Sequence, residues 1–317
     1  MRADVPTLTV NLRFGIGVLL WLSGPGSLLA QSYRLADGDF VVEIEVGARA
    51  ELPRFDETAV VRAVSWRGGH YLVGPGLADE FGLEGHGALG FEEAAPGEGF
   101  LKIGVGELER DRAGGYRFQH AYPRRQSFPV EVIAGERELR VAQVSAEVRG
   151  YRYTYAKHYS VGGERTLTID YELGNRGNRT FVFEHYNHNY FRLPESGGTH
   201  GCRIETGFPL SSPPEKWKLA SPHAAQWTGE RFVATGNLWR LPLNPPADAH
   251  EVTLTLADGR AVQVAGDSPV VRFAVWLERT AVCPELFSRF TLQPNETARW
   301  TRRYHFAAGS AERRQTP

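Results

Sequence analysis

Short runs of β-forming residues recur along almost the whole chain, and they restrict its possible folds more than any other feature. Val, Ile, Thr and aromatic residues dominate the runs, while Gly, Pro, Asn and Asp separate them. After residue 33 no stretch shows the spacing of apolar residues that indicates a helix. The sequence therefore predicts an all-β protein, with strands in the segments FVVEIEV (40–46), AVVRAVSW (59–66), FPVEVIA (128–134), YRYTYAKHY (151–159), RTLTIDYEL (165–173), RTFVFEHYNHNYF (179–191), EVTLTLA (251–257), VVRFAVWLER (270–279), RFTLQ (289–293) and ARWTRRYHF (298–306).

Polar segments between these runs are typical of tight turns. Asp258-Gly259 is a strong hairpin signal because both residues tolerate a positive φ. LGNRGN (173–178) and QPNET (293–297) are two further predicted turns. The Asn-Glu-Thr in the second is interpreted as part of a turn and not as a glycosylation site.

The chain has 317 residues and no low-complexity linker, which predicts one large domain from 33 to 308. Residues 67–100 are rich in Gly and acidic residues, and are predicted to form a long functional loop. Residues 309–317 are predicted to be a disordered tail.

Residues 1–31 are predicted to be a signal peptide. Arg2 and Arg13 precede an apolar run that ends at Ala30, and the run is shorter than the roughly 20 residues that span a bilayer. We therefore expect a periplasmic or secreted bacterial protein, without stable membrane insertion after signal cleavage, in preference to a retained anchor. In that oxidising compartment Cys202 and Cys283 could form a disulfide, although two free buried thiols fit the sequence equally well.

The charge of the chain is nearly balanced, with 36 basic and 37 acidic residues. This balance removes the electrostatic reason to expect a nucleic-acid partner. The sequence leaves open whether the protein is a monomer or a homodimer.

The segment FEHYNHNYF (183–191) carries a high density of polar rings and amides for a strand. Side chains alternate along a strand, so even-numbered residues are predicted on one face and odd-numbered residues on the other. The even-numbered polar group is Glu184, Tyr186, His188 and Tyr190, and the odd-numbered one is His185, Asn187 and Asn189. Because His185 and His188 then point to opposite faces, a metal ion bound by both is disfavoured, and His185 is interpreted as a satisfied histidine of the core or surface.

A sugar site explains this composition better than a metal site. Tyr offers a ring face for stacking, Asn offers paired donors and acceptors, and His can transfer a proton near neutral pH. The predicted ligand is a mono- or oligosaccharide bound near His188, with Tyr186 and Asn187 among its contacts.

The run Asn187-His188-Asn189-Tyr190-Phe191 resembles the Asn-His-x-Tyr-Phe signature of the aldose 1-epimerase (galactose mutarotase-like) superfamily. The likeness extends in the same order over about residues 35–306. It includes LKIGVGELER (101–110), RGYRYTYAKHYSV (149–161) and AVWLERTAVCPELF (274–287), which resemble a bacterial branch of the superfamily. The resemblance implies a β-supersandwich of large antiparallel sheets.

The resemblance also implies that His188 is a general acid and Glu285 a general base in sugar mutarotation. The base removes the proton of the anomeric hydroxyl while the acid protonates the ring oxygen, so no metal or organic cofactor is required. Glu285 is expected to start ionised and His188 protonated, on opposite sides of the sugar. Pro284 is expected to make the chain turn so that Glu285 projects from a strand end.

Other residues are candidates for the wall of the sugar site, because the upstream histidine of the familiar epimerases has no clear counterpart in this chain. Lys102 could hold a carboxylate or hydroxyl group of the substrate, although a solvated strand lysine fits as well. Trp239 could stack on a sugar, although core tryptophans are commoner. Arg149, Tyr155 and Lys157 could also line the site, although a strand with one solvated face fits them as well. The candidates of this wall are Glu80, Lys102, Arg149, Tyr155, Lys157 and Trp239, and Trp227 could stack on a sugar in the same way as Trp239.

Three functions remain open from the sequence. The first is an exported mutarotase of the aldose 1-epimerase type. The second is a lyase, or another enzyme for modified or oxidised sugars, in which Lys102 or Arg149 would neutralise a uronate. The third is a carbohydrate-binding protein that has lost the chemistry.

Overall fold

The structure is a computed structural model that describes residues 30–47, 54–194, 201–229 and 237–308. The predicted signal peptide lies outside the described residues except for its last two positions, and the predicted tail lies outside them entirely. The described residues form strands and turns and contain no helix. None of them therefore belongs to a helix long and apolar enough to span a bilayer.

The described part of the chain contains 23 strands. In chain order they are β1 (Gln31–Asp37), β2 (Phe40–Val46), β3 (Ala59–Trp66), β4 (Gly69–His70), β5 (Leu72–Phe81), β6 (Ala88–Leu89), β7 (Gly99–Lys102), β8 (Gly106–Glu109), β9 (Arg124–Gln126), β10 (Val130–Ala134), β11 (Glu138–Val144), β12 (Tyr153–Gly162), β13 (Thr166–Asn175), β14 (Phe181–Arg192), β15 (Arg203–Thr206), β16 (Trp217–Ser221), β17 (Ala224–Trp227), β18 (Asn237–Ala247), β19 (Glu251–Thr255), β20 (Ala261–Gly266), β21 (Val270–Leu277), β22 (Ala281–Leu292) and β23 (Thr297–Ala307).

These strands form three antiparallel sheets. The nine-stranded sheet has the order β1-β2-β3-β5-β14-β22-β21-β18, with β4 paired to β3. The ten-stranded sheet has the order β10-β11-β12-β13-β23-β20-β19-β15-β17-β16, and the small sheet the order β6-β7-β8-β9. Two large antiparallel sheets confirm the predicted all-β supersandwich.

The main core lies between the two large sheets. Along β12 every second side chain is buried, from Tyr153 to Val161, because one face of the strand packs on the nine-stranded sheet. Contacts across the interface include Phe183 against Trp300 and Phe40 against Phe306. The nine-stranded sheet therefore has an inner face in this core and an opposite face, the outer face, which carries Ala78, Glu80, His188 and Glu285.

The predicted turns at Asp258-Gly259 and at 293–297 are confirmed. Gly259 has a φ of +84° between β19 and β20, and Asn295 has a φ of +69° between β22 and β23. Both residue types tolerate this conformation better than most.

The prediction of a long loop at 67–100 is wrong. This segment contains β5, a ten-residue strand that pairs with β14 in the middle of the nine-stranded sheet. One of its glycines allows close packing of the strand: a Cβ on Gly76, where φ is +85°, would lie 2.0 Å from the carbonyl oxygen of Val61. Gly76 therefore reflects the close approach of β5 to β3 and not a flexible connection.

Candidate active site

Strand β14 presents two polar faces, as its alternation predicts. His185, Asn187 and Asn189 bond to groups of the inner face and the core, such as Asp79 and Tyr304. Tyr186 and His188 lie on the outer face, where Tyr186 bonds to Glu80 of the neighbouring strand β5. The interpretation of His185 as a satisfied core histidine agrees with its complete burial and with its hydrogen bonds to Asp79 and Trp300.

The structure brings His188 and Glu285 together on the outer face. Strands β14 and β22 pair at His185–Ser288 and at Phe191–Val282, so the antiparallel register sets His188 opposite Glu285. The distance from His188 Nε2 to Glu285 Oε1 is 3.3 Å, and both side chains are buried. The two groups that the resemblance implies are thus direct neighbours, 97 positions apart in the chain.

Their arrangement differs from the expected one in two respects. Glu285 lies inside β22 and not at a strand end, and Pro284 pairs with Val275 of β21 within the ladder. On the side that faces β14, Pro284 has no N–H to donate to that strand. The side-chain amide of Asn189 on β14 donates instead to the Pro284 carbonyl over 2.7 Å. His188 and Glu285 therefore stand side by side on the floor of the site, not on opposite sides of a sugar.

Burial also reverses the expected protonation of the pair. Desolvation lowers the pKa of His188 to about 3, with the charge of Arg54 as a smaller cause. Desolvation likewise raises the pKa of Glu285 to about 8, reinforced by the charge of Glu80. Near pH 7 the unliganded pair is therefore a neutral imidazole beside a protonated carboxyl group, because burial disfavours both charged forms.

Arg54 and Glu80 form an ion pair next to the catalytic candidates. Arg54 Nε donates to Glu80 Oε2 over 2.9 Å, and Arg54 Nη2 donates to the Tyr186 hydroxyl over 3.1 Å. The Tyr186 hydroxyl in turn donates to Glu80 Oε2 over 2.5 Å. The guanidinium lies 4.6 Å and 4.7 Å from the ring centroids of Phe55 and Phe118. Two predicted residues, Glu80 and Tyr186, are thus brought to His188 and Glu285.

Sequence reasoning missed Arg54. It lies just before β3, in a segment with no periodic pattern, and its position depends on pairing across the sheet. An isolated bridge joins Phe55 to Glu80, and the Asp56 N–H donates to the Asp79 carbonyl over 2.8 Å. Only these tertiary contacts place the guanidinium beside the site.

Aromatic rings form the sides of the site. The imidazole of His188 stacks on Tyr190 at a centroid distance of 4.3 Å and meets Phe55 edge-on at 5.8 Å. Tyr186 stacks on Phe287 at 4.2 Å. Such rings restrict the side chains of His188 and Tyr186 and offer apolar faces to a ligand.

Four buried polar atoms on the outer face lack a hydrogen-bond partner within the described part of the chain: Glu80 Oε1, His188 Nδ1, Arg272 Nε and Glu285 Oε1. Although Glu285 Oε1 is near His188 Nε2, the two atoms are not aligned for a hydrogen bond. Buried polar groups are rarely left unpaired in proteins. Their concentration at one place is what a site for a hydroxylated ligand requires.

Three other predicted site residues lie in the core between the two large sheets: Asn187 on the inner face of the nine-stranded sheet, and Tyr155 and Lys157 on β12 of the ten-stranded sheet. Lys157 Nζ donates to Asp56 Oδ2 over 2.6 Å and to Asp79 Oδ2 over 3.0 Å. Tyr155 donates to Asp56 Oδ2 over 3.1 Å, and the Asn187 amide donates to Asp79 Oδ1 over 2.5 Å. We call these five residues the inter-sheet network. Its contacts place it behind the strands that carry His188 and Glu80, not beside the imidazole.

The remaining candidates also have partners of their own. Lys102 is fully buried and donates to the Phe81 carbonyl. Arg149 pairs with Glu98 and donates to the Gly99 carbonyl over 3.1 Å, at the small sheet. Trp239 lies in the core and donates to the Ser211 carbonyl over 3.2 Å. None of these contacts involves His188 or Glu285.

Two further features bear on earlier alternatives. Cys202 and Cys283 are both free and buried. Within the described ranges, no three His, Cys, Asp or Glu side chains are grouped so that they could hold a metal ion.

The sequence matches no protein-family model and no curated protein. Solved structures match the fold over most of the chain. A galactose mutarotase related enzyme from Lactobacillus acidophilus aligns with a TM-score of 0.54 at 12% identity, covering 88% of this chain and 98% of that one. The GalM/aldose epimerase homologue from C. elegans gives 0.53 at 11% identity, with coverages of 89% and 100%. The Slr1438 protein from Synechocystis sp. PCC 6803 gives 0.56 at 12% identity, with coverages of 91% and 99%. The chain therefore has the galactose mutarotase-like fold.

Proposed function

We propose that the protein is an exported mutarotase of the aldose 1-epimerase type, which interconverts the α and β anomers of a reducing sugar at His188 and Glu285. The observation that carries this proposal is the 3.3 Å contact between an imidazole and a carboxyl group on the outer face. Unpaired buried polar atoms and aromatic rings surround that contact, as a site for sugar hydroxyls and ring faces requires.

The reaction needs one acid and one base at two oxygens of the same carbon. The base takes the anomeric hydroxyl proton, the bond between C1 and the ring oxygen breaks, and the acid protonates the ring oxygen. After rotation about the C1–C2 bond, both proton transfers reverse and the ring closes on the other face of the carbonyl. Because both oxygens are attached to C1, two catalytic groups that lie side by side can reach both of them.

We assign the acid role to His188 and the base role to Glu285, as the resemblance implies. Between pH about 3 and about 8 the pair holds one proton, and in the unliganded protein that proton is on Glu285. Sugar hydroxyls that enter the site can hydrogen-bond to the charged forms and offset their desolvation. Transfer of the proton from Glu285 to His188 then prepares the pair for catalysis.

Arg54, Glu80 and Tyr186 would hold the sugar over the pair. Tyr186 is fixed by its bonds to Glu80 and Arg54, so its ring and those two charged groups are held together. The free oxygen of Glu80 can accept from a sugar hydroxyl without loss of the Arg54 ion pair. Each such contact fixes the orientation of the ring, and orientation is a large part of catalysis.

Anomer exchange, followed by NMR on a panel of reducing sugars, tests the proposal. We expect His188→Ala and Glu285→Gln each to lower turnover by about 10²-fold or more, while circular dichroism shows folded proteins. His158→Ala and Glu172→Gln are matched controls, because His158 lies on β12 and Glu172 on β13, two strands of the other large sheet. Retention of a tenth of the wild-type rate or more in both site variants would refute the assignment.

Two further assays on the wild-type protein distinguish the other two functions. Absorbance from an unsaturated product on uronate polymers, without anomer exchange, would indicate a lyase. Thermal stabilisation by sugars without turnover in either assay would indicate a binding protein.

A further inference from the structure

The charges that act on Glu285 include three guanidinium groups, those of Arg54, Arg240 and Arg272. Arg54 is paired with Glu80 at 2.7 Å. Arg272 is paired with Glu84 at 2.5 Å and with Glu184 at 2.8 Å. Arg240 is exposed and forms no ion pair with a carboxylate within the described ranges. It is therefore the one member of this set whose charge is available to a ligand.

The register of the sheet aligns Arg240 with Glu285. Arg240 pairs with Ala274 on β21, and Ala274 pairs with Glu285 on β22, so the three side chains share the outer face. Two strand spacings separate the backbones of Arg240 and Glu285 by about 10 Å. Ala274, between them, has the shortest side chain that a non-glycine residue can offer.

Larger side chains lie on both sides of the line formed by Arg240, Ala274 and Glu285. Two positions from Ala274 along β21 lie Arg272 in one direction and the half-buried Trp276 in the other, and both share its face. Between the carboxyl group of Glu285 at one end and the exposed guanidinium at the other, this line of residues thus carries only the methyl group of Ala274, with a tryptophan at its edge.

We infer that Arg240 is a specificity-determining residue that binds a negatively charged substituent of the sugar, a carboxylate or a phosphate. This inference rests on the proposed function, since it places the anomeric carbon at Glu285 and the charged substituent toward Arg240. A guanidinium offers a planar fork of donors that matches both anions, and its bonds to them are charge-assisted. Because His188 and Glu285 form a neutral pair near pH 7, the charge of Arg240 is not cancelled by the catalytic residues.

The test compares glucose, glucuronate and glucose 6-phosphate as substrates for anomer exchange. The variants are Arg240→Gln, Arg240→Lys and the control Arg299→Gln, an arginine of the other large sheet with a side chain 70% exposed. We expect the wild type to prefer at least one anionic sugar over glucose by about tenfold in kcat/KM. Arg240→Gln should abolish that preference, Arg240→Lys should keep part of it, and Arg299→Gln should keep all of it. The uronate and phosphate arms show which anion is used.

Three outcomes would overturn the inference. A wild type that prefers glucose would leave the proposed function intact and remove the anion subsite, and so would a preference that Arg240→Gln does not change. If no sugar exchanges, the proposed function fails, and binding of glucuronate and glucose 6-phosphate by titration calorimetry then decides the inference. Equal affinities of wild type and Arg240→Gln would contradict it, whereas weaker binding by the variant would support it.

Discussion

Replacing Glu285 by glutamine should stabilise the protein at neutral pH although it removes the proposed catalytic base. The pKa of Glu285 rises from 4.5 to about 8 on folding because the carboxyl group is buried. Below pH 4.5 the group is protonated in both the folded and the unfolded protein, so its burial has no pH-dependent cost. As the pH rises, the unfolded chain ionises first, and the free energy of unfolding falls until the folded group ionises near pH 8.

The size of the effect follows from the interval between the two pKa values. At about 1.36 kcal/mol per pH unit, keeping Glu285 protonated costs about 3 kcal/mol at pH 7 and less than about 1 kcal/mol at pH 5. Glutamine has nearly the same shape and never ionises, so it avoids this cost. His188 titrates alike in the wild type and in Glu285→Gln, so its contribution to the free energy of unfolding cancels in the comparison.

Urea denaturation, followed by tryptophan fluorescence at pH 5 and at pH 7, measures this difference. Glu285→Gln should exceed the wild type in free energy of unfolding by about 3 kcal/mol at pH 7 and by less than about 1 kcal/mol at pH 5. Glu172→Gln, whose side chain is 41% exposed, should change it by no more than about 0.5 kcal/mol at either pH. A gain that is absent, or equal at the two pH values, would mean that Glu285 is ionised in the folded protein at neutral pH.

Two further outcomes are expected. The pair of His188 and Glu285 loses its one proton when Glu285 ionises, so kcat/KM for anomer exchange should fall tenfold per pH unit above pH about 8. A rate that stays constant to pH 10 would contradict the claim that the pair works with one shared proton. Lys157→Met should lower the free energy of unfolding by about 3–5 kcal/mol, since it leaves two buried carboxylates without their cation. Urea titration checks this, with the exposed Lys218→Met as a control, and a loss below about 1 kcal/mol would contradict the role of the inter-sheet network.

Much of the fold could be predicted because it depends on local pattern. The alternation in 183–191 correctly separated the residues of the two faces of β14, and β2 and β3 have the predicted bounds. The segment 67–100 has the composition of a loop but contains β5, whose Gly76 meets a packing need against β3 that no local pattern reveals.

The site was only partly predictable, because alternation shows that two residues share a face but not which face holds the ligand. Lys157 and Tyr155 have the polar character of site residues, yet their strand belongs to the opposite sheet and points into the core. Arg54 and Arg240 reach the outer face only through pairing between distant strands. The expected charges of His188 and Glu285 followed from their mutual attraction, and burial outweighs that attraction in the folded protein.

A crystal structure with a bound reducing sugar tests the central claim most directly. We expect the anomeric oxygen and the ring oxygen within hydrogen-bonding distance of the carboxyl group of Glu285 and the imidazole of His188, over the outer face of β14 and β22. A sugar bound with its anomeric carbon away from both groups, or seated on another sheet, would contradict the proposed chemistry.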